Sequence, residues 1–102
     1  MTIDGQIILD EATIADFCRQ NGIARMAVFG SRARDESRED SDLDLLVEFL
    51  PDRKVSLFDV GGMMAELSQR LGLQVDMRTA RDMSPLVRDQ VLREARTIYA
   101  AA

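Results

Sequence analysis

Histidine is absent from this 102-residue chain, cysteine occurs once, and no long apolar run is present; each shortage removes a class of function. Without histidine the chain has no Ser-His-Asp triad, no imidazole metal ligand and no histidine-based pH switch. Any bound metal ion must therefore be held by oxygen atoms. The one cysteine, Cys18, excludes an intrachain disulfide, and its position among the apolar residues of a predicted helix indicates a buried structural thiol.

Signals for export and for membrane insertion are also lacking. The N-terminal sequence Met1-Thr-Ile-Asp-Gly-Gln has no basic segment followed by an apolar one, which a signal peptide requires. No apolar stretch reaches the ~18 residues that a membrane-spanning helix needs. Together with the single cysteine, these absences lead us to expect a cytoplasmic protein that does not contact a membrane.

Basic residues are outnumbered by acidic ones, with 13 Lys and Arg against 18 Asp and Glu and a formal net charge of −5. Residues 32–48 contain seven of the acids and only three arginines, so most of the negative excess lies in one segment. Nonspecific binding to nucleic acid depends on clustered Lys and Arg, and we therefore expect no direct nucleic-acid binding. The length and a hydrophobic fraction of 46% predict a single domain spanning residues 1–102.

The acidic segment contains the most informative pattern of the sequence, Ser41-Asp-Leu-Asp-Leu-Leu-Val. Alternate side chains of a strand face the same way, about 6.6 to 6.8 Å apart along the chain, so Asp42 and Asp44 share one face and the apolar residues share the other. Two neighbouring carboxylates repel each other, and a divalent cation between them explains why they stand together. The pair therefore predicts a metal site.

A Gly-Ser pair, Gly30 and Ser31, is separated from Asp42 by ten residues. Glycine allows a sharp turn and a close approach of the backbone to a ligand, while Ser31 and the N–H groups of the following turn can donate hydrogen bonds to phosphate. Arg32 and Arg34 can pair with phosphate oxygens. A Gly-Ser pair alone is more often a simple turn, and the arginines can equally balance neighbouring acids. The nearby aspartates favour phosphate binding at the Gly-Ser pair.

Hydrophobic periodicity outlines the other elements. Helices are predicted from Asp10 to about residue 21, over 56–71, and from a Ser-Pro start at 84 to about residue 96. Strands are predicted at 23–29, from Asp42 onward and at 73–78, with a short return segment around 98–99. Asp76, on the polar face of the 73–78 strand, repeats the geometry of the earlier aspartates.

Three segments carry a resemblance to a known family: Phe29-Gly-Ser-Arg-Ala-Arg, Ser41-Asp-Leu-Asp-Leu-Leu-Val-Glu-Phe and Gln74-Val-Asp-Met-Arg. With their spacing they resemble the minimal nucleotidyltransferases, small members of the polymerase-beta-like superfamily, over roughly residues 14–99. The resemblance implies an α/β (α+β) fold with a short mixed β-sheet and helices packed mainly on one face. It also implies that the chain binds two Mg²⁺ ions and uses ATP as its substrate.

The same resemblance implies a role for each candidate residue. Asp42, Asp44 and Asp76 would be the catalytic residues and the metal ligands, with Asp76 either ligating the catalytic ion or accepting the acceptor's proton. Nucleotide binding would fall to Gly30, Ser31, Arg32 and Arg34. Family members often carry glycine at the position of Asp35, where a carboxylate adds negative charge near the nucleotide and can weaken its binding.

The resemblance also implies a partner. The chain leaves no room for a second domain that grips an acceptor, so we expect the acceptor to come from another molecule. Stand-alone chains that look like this one are antitoxins of HEPN-domain RNase toxins, which implies transfer of AMP from ATP to a toxin tyrosine with release of pyrophosphate. The alternative is a weak or inactive module that neutralises its partner by binding alone. A third possibility is transfer to a small molecule in a pocket completed by self-association.

Overall fold

The computed structural model describes residues 1–5, 7–38 and 41–101. Its helices are α1 (Glu11–Gln20), α2 (Leu57–Leu71) and α3 (Pro85–Glu94). The strands are β1 (Thr2–Ile3), β2 (Ile7–Ile8), β3 (Ile23–Phe29), β4 (Leu43–Phe49), β5 (Val75–Arg78) and β6 (Arg96–Ala100). Short 3₁₀ turns follow β3 at Gly30–Arg32 and β5 at Ala80–Asp82. None of the helices in these ranges is both long and apolar enough to span a membrane.

Four strands form the central sheet in the order β5-β4-β3-β6. β3 pairs antiparallel with β4 and with β6, whereas β4 and β5 run parallel, so the sheet is mixed. A parallel pair needs a crossover connection, which α2 supplies between β4 and β5. The expected α+β fold with a short mixed sheet is confirmed.

The hydrophobic core lies between one face of this sheet and helices α1 and α2. Alternate residues of β4, namely Leu43, Leu45 and Val47, are at most 2% exposed, and they pack in the same cluster as Phe17 of α1 and Leu67 of α2. The intervening β4 residues must then point to the opposite face. That second face carries the candidate site.

Local signals fix both ends of α2 close to the predicted positions. Ser56 Oγ accepts a hydrogen bond from the Asp59 backbone N–H at 3.1 Å, and the Asp59 carboxylate accepts one from the Ser56 N–H at 3.0 Å. Gly72 ends the helix in the left-handed region, with φ of +71°. The sequence predicts a buried stripe on this helix, formed by Leu57, Val60, Met64, Leu67 and Leu71. Leu57 is wrong in this set because it is 83% exposed, whereas Met63, outside the set, is buried in the core.

Two regions differ from the sequence-based expectation. The β1–β2 hairpin has strands of two residues each, too short to show an alternating pattern, and it is not predicted. The return segment at the C-terminus is a five-residue strand, β6, paired along β3.

Helix α3 is less buried than its apolar residues suggest. Val91 is buried, whereas Leu86 and Leu92 are exposed.

The expected burial of Cys18 is confirmed. The side chain is fully enclosed in the core, and burial raises the pKa of its thiol to about 12. The thiolate is therefore scarce at neutral pH, which leaves Cys18 as a small apolar side chain without a chemical role.

Candidate active site

Three candidate carboxylates meet at the edge of the sheet where β3 ends and β4 and β5 begin. Asp44, the second residue of β4, is paired in register with Phe29 of β3 on one side and with Asp76 of β5 on the other. Asp42 immediately precedes β4 and is exposed, two residues from Asp44. Strand pairing thus brings Asp76 beside Asp44 across more than 30 intervening residues.

The pKa of the Asp44 carboxyl shows how crowded this edge is. Partial burial is the largest cause of its rise above the ordinary value, followed by the negative charges of Asp76 and Asp42. The positive charges of Arg78 and Arg34 act in the opposite direction. Asp44 therefore lies among two acids and two arginines, and a further cation at this place would relieve the remaining repulsion.

Arg78 is a site residue that the sequence reasoning did not single out. Its Nε donates a hydrogen bond to Asp76 Oδ2 at 3.0 Å, and its side chain is about half exposed. Strand alternation places it on the same face as Asp76, two residues further along β5. A basic residue two positions after a candidate ligand on a strand is the sequence signal that could have found it.

The carboxylates suit a magnesium ion that is also held by a nucleotide. Within residues 1–5, 7–38 and 41–101, no three carboxylate, thiol or imidazole groups are grouped closely enough to hold a metal ion by themselves. Mg²⁺ usually takes only one or two carboxylates and completes its shell with phosphate oxygens and water. Asp44 and Asp76, neighbours on adjacent strands that repel each other, fit this requirement, and Asp42 lies next to them along the chain.

Gly30 is required at its position for two separate reasons. Its φ is +74°, in the left-handed region that side chains disfavour. A Cβ atom built on Gly30 would also collide with Asp44 Oδ2. The turn therefore places the backbone of the Gly-Ser pair directly against the Asp44 carboxylate.

Ser31 lies in this turn, but several of the neighbouring donors are already used. The N–H groups of Ala33 and Arg34 donate to Gly30 O at 3.1 and 3.3 Å, and the N–H of Glu36 donates to Ser31 O at 2.9 Å. The expectation that the turn offers its N–H groups to phosphate is therefore wrong for these three. The Ser31 hydroxyl makes no hydrogen bond to the described part of the chain, and it remains available to a ligand.

Arg34 extends from the same turn and is held by two carboxylates. Its Nε donates to Glu36 Oε2 at 3.1 Å, and its Nη1 donates to Glu94 Oε2, at the end of α3, at 3.0 Å. Nη2 makes no hydrogen bond to any residue that the structure describes. One edge of the guanidinium therefore remains open. The positive charge of Arg34 also acts to lower the pKa of Asp44.

Arg32, by contrast, is turned into the protein interior. Its side chain is 1% exposed, and Nη1 lies 3.5 Å from Oδ2 of Asp4, whose side chain is equally buried. Nη2 donates to the backbone carbonyl of Ser41 at 2.6 Å. These contacts join the β1–β2 hairpin to the turn after β3, and they indicate a structural role. Phosphate binding by Arg32 stays a prediction that this placement does not favour.

Asp35 stands where members of the family that the sequence resembles often have glycine, and it adopts a backbone conformation that glycine favours. Its φ is +57°, and aspartate is among the non-glycine residues that tolerate this region best. The carboxylate is exposed, and Oδ1 lies 4.0 Å from Nη1 of Arg96. The residue therefore fits the turn but adds a negative charge next to Arg34.

A groove with a volume of about 640 Å³ opens on the same face of the sheet. Ala27 and Leu46 line it together with Leu57 of α2 and Leu92 of α3. Leu46 follows Asp44 by two positions on one strand, so the groove adjoins the acidic edge. The groove offers both apolar and charged side chains, and the charged ones include Arg25, Glu48 and Arg81.

Comparison with known proteins gives a match to a domain family. Residues 11–98 match the model of a sequence family described as Nucleotidyltransferase domain, and this range includes every candidate site residue. A candidate protein adenylyltransferase of Methanocaldococcus jannaschii is 42% identical over 76 residues, which cover 74% of this chain and 80% of the relative.

Two solved structures have the same fold. A chain in the crystal structure of a toxin–antitoxin complex with AMP-PNP has a TM-score of 0.76 and 21% identity, over 91% of this chain and 75% of that chain. A chain in the complex of a tri-AMPylated Shewanella oneidensis HEPN toxin with an MNT antitoxin has a TM-score of 0.66 and 19% identity, over 89% and 70% of the two chains. At these identities the likeness concerns the fold alone.

Replacement of Gly30 by alanine is expected to damage the site, and Gly72 provides a matched control. Both glycines have φ near +70°, but a Cβ at Gly72 would meet nothing within 4 Å. Each alanine variant should lose about 1–2 kcal/mol of unfolding free energy in urea denaturation. Only Gly30→Ala should also displace Asp44 and weaken Mg²⁺-dependent AMP-PNP binding, by more than ~10-fold in calorimetry. Equal affinities of the two variants would contradict the proposed contact.

The buried pair of Asp4 and Arg32 is expected to contribute to stability rather than to ligand binding. Asp4→Asn removes the buried carboxylate charge that lies beside the guanidinium and should lower the unfolding free energy by about 1–3 kcal/mol. Adding Arg32→Gln should cost less in this background than in the wild type, because the two side chains are coupled. Urea denaturation of all four proteins measures the coupling. If Arg32 instead binds phosphate, Arg32→Gln will weaken AMP-PNP binding at a temperature where the variant remains folded.

Proposed function

Because the chain belongs to the nucleotidyltransferase domain family, we propose that it is a Mg²⁺-dependent protein adenylyltransferase and the antitoxin of a HEPN RNase toxin. In this function it transfers AMP from ATP to a tyrosine of the toxin. The observation that carries the proposal is the register of Asp44 with Asp76, directly against the Gly30 turn. Acids and a phosphate-binding turn are then combined at one edge.

The proposed reaction forms one bond and breaks one. The tyrosine oxygen attacks the α-phosphorus of ATP, the new O–P bond forms as the α–β bridging bond breaks, and pyrophosphate leaves. Asp76 would either accept the proton of the tyrosine hydroxyl, directly or through water, or help to hold the catalytic ion and leave that proton to water. Asp42, Asp44 and Asp76 would hold two Mg²⁺ ions together with the nucleotide, and the ions would supply stabilisation of the negative charge during the transfer.

The residues of the chain mainly bind and orient the nucleotide. The Ser31 hydroxyl and the open edge of Arg34 are the donors available to phosphate, and Gly30 lets the backbone approach closely. The half-exposed Arg78 can neutralise charge that develops near Asp76. Positioning and electrostatic stabilisation are the principal requirements for transfer of a phosphoryl-type group.

The proposed partner rests on two lines of support. The protein with the fold in the AMP-PNP structure belongs to a toxin–antitoxin complex, and the second structure contains an AMPylated HEPN toxin. The groove beside Asp44 offers apolar side chains to a protein acceptor. The cytoplasm, where ATP and RNA are both present, is the proposed location.

Loss of either strand aspartate is expected to abolish the transfer. With α-labelled ATP, Mg²⁺ and the HEPN partner, Asp42→Asn and Asp44→Asn should lower labelling of the partner by more than ~100-fold, because each removes a charged ligand. Asp16→Asn, on the exposed surface of α1, serves as the control and should retain full transfer. Asp44→Asn should not lower the melting temperature, since it removes like-charge repulsion. Undiminished labelling with both site variants would refute the assignment.

Neutralisation by binding alone is the second candidate function, and Asp35 is the observation that favours it. The residue places an exposed carboxylate one position after Arg34, where a triphosphate would approach. A module that has lost nucleotide binding can accept such a charge without consequence. AMP-PNP binding to the wild-type chain therefore separates the two functions.

Substitution of Asp35 tests whether its negative charge limits nucleotide binding. Asp35→Asn keeps a side chain suited to positive φ and removes the charge, so it should tighten AMP-PNP binding about two- to fivefold. Asp35→Gly should do the same and also raise stability in urea denaturation. If neither the wild type nor these variants bind AMP-PNP and Mg²⁺ in calorimetry, the binding-only function is supported instead.

A further inference from the structure

The contact between Arg34 and Glu94 joins two parts of the chain that are 60 residues apart. Arg34 belongs to the turn after the Gly-Ser pair, and its backbone N–H is bonded to Gly30 O. Glu94 is the last residue of α3. A carboxylate at that place opposes the helix dipole, whose negative end lies at the C-terminus. Helix stability therefore does not account for a glutamate here.

Glu94 is itself held in place from its own helix. Its Oε1 accepts a hydrogen bond from Gln90 Nε2 at 3.3 Å while its Oε2 accepts one from Arg34 Nη1 at 3.0 Å. Its side chain is 23% exposed, whereas that of Glu36, the other partner of Arg34, is 63% exposed. Glu94 is therefore the better fixed of the two carboxylates.

The segment after Glu94 makes a second contact with the same turn. Arg96, the first residue of β6, has Nη1 4.0 Å from Oδ1 of Asp35. β6 pairs with β3 so that Arg96 lies opposite Val28, close to the end of the strand that leads into Gly30. The junction of α3 and β6 thus contacts two consecutive turn residues of opposite charge. Glu94 is paired with Arg34, and Arg96 lies near Asp35.

We infer that Glu94 is a positioning residue that holds the Arg34 guanidinium with its Nη2 edge open to the nucleotide phosphates. The inference rests on the proposed function for the identity of the ligand. Two of the three guanidinium nitrogens are engaged by Glu36 and Glu94, which leaves one edge for a phosphate oxygen. The Arg34 hydrogen bond is also the largest cause that lowers the pKa of Glu94, so the glutamate is ionised at neutral pH.

Nucleotide binding tests the inference through a double-mutant cycle. Glu94→Ala should raise the dissociation constant for AMP-PNP with Mg²⁺ about fivefold, and Glu94→Gln, which keeps an acceptor oxygen, should raise it less. In an Arg34→Ala background, Glu94→Ala should have no further effect. Glu66→Ala, which removes the 3.9 Å partner of Arg70 on α2, is the control and should bind as the wild type does.

An equal loss of affinity in both backgrounds would overturn the inference, because Glu94 would then act through the stability of α3 or through its own contact with the nucleotide. Lower melting temperatures of the Glu94→Ala proteins identify the first of these cases. The cycle also distinguishes positioning of Arg34 from direct contact of Glu94 with the nucleotide, since a direct contact would persist without Arg34.

A measurement without nucleotide keeps the test independent of the proposed function. In NMR spectra of the free protein, Glu94→Ala should shift the Arg34 Nε–H signal and increase its exchange with solvent, and Glu66→Ala should not. An unchanged Arg34 signal would contradict the inference. If the wild type binds no AMP-PNP while the Arg34 signal depends on Glu94, the proposed enzymatic function fails and the positioning contact remains.

Discussion

Repulsion among three carboxylates at one edge of the sheet is the constraint on which the rest of the site depends. The register of β4 with β5 sets Asp44 opposite Asp76, and Asp42 adds a third charge. The strands cannot relieve the repulsion by slipping, because a shift of one residue would expose the buried face of β4 to solvent. The hydrophobic core thus holds the acids together.

Two arginines reduce this repulsion without removing it. Arg78 and Arg34 both lower the pKa of Asp44, yet burial and the neighbouring acids prevail and the pKa stays raised. Each guanidinium is already paired with a carboxylate, and both side chains are more than a third exposed. Exposed pairs of this kind contribute only about 0–1 kcal/mol. The proposed divalent ion and triphosphate would therefore need little free energy to displace these two side chains or to draw them into contact.

The sequence predicts those parts of the site that depend on local periodicity. Strand β3 is predicted with its observed bounds because a largely apolar segment lies between Gly22 and Gly30. Alternation places Asp44 on the face of β4 opposite the core, whereas Asp42, predicted as the first residue of that strand, immediately precedes it. Asp76 is found in the same way as Asp44, on a second strand whose observed extent is shorter than predicted. Strand pattern is thus sufficient to find Asp44 and Asp76.

The surroundings of the arginines could not be predicted in this way, since each depends on a distant partner. Arg32 is buried by Asp4, which lies in a hairpin with strands too short to leave a pattern. Arg34 meets Glu94 across 60 residues, and no periodicity relates the two positions. A mixed charge run shows which side chains are charged, but only the tertiary fold shows which of them are neutralised.

The turn after β3 is held from two sides by charge pairs of unequal strength, and the difference indicates what each one does. The interior pair of Arg32 and Asp4 is shielded from water, so its loss costs more free energy of folding than the loss of a solvent-exposed pair. The exterior pair of Arg34 and Glu94 is screened by solvent, and its loss changes only the direction of one guanidinium. The hairpin therefore holds the turn from the interior, and α3 holds one of its arginines at the surface. In the proposed nucleotide complex, affinity would vary through Glu94 and Asp35 while Gly30 keeps its contact with Asp44.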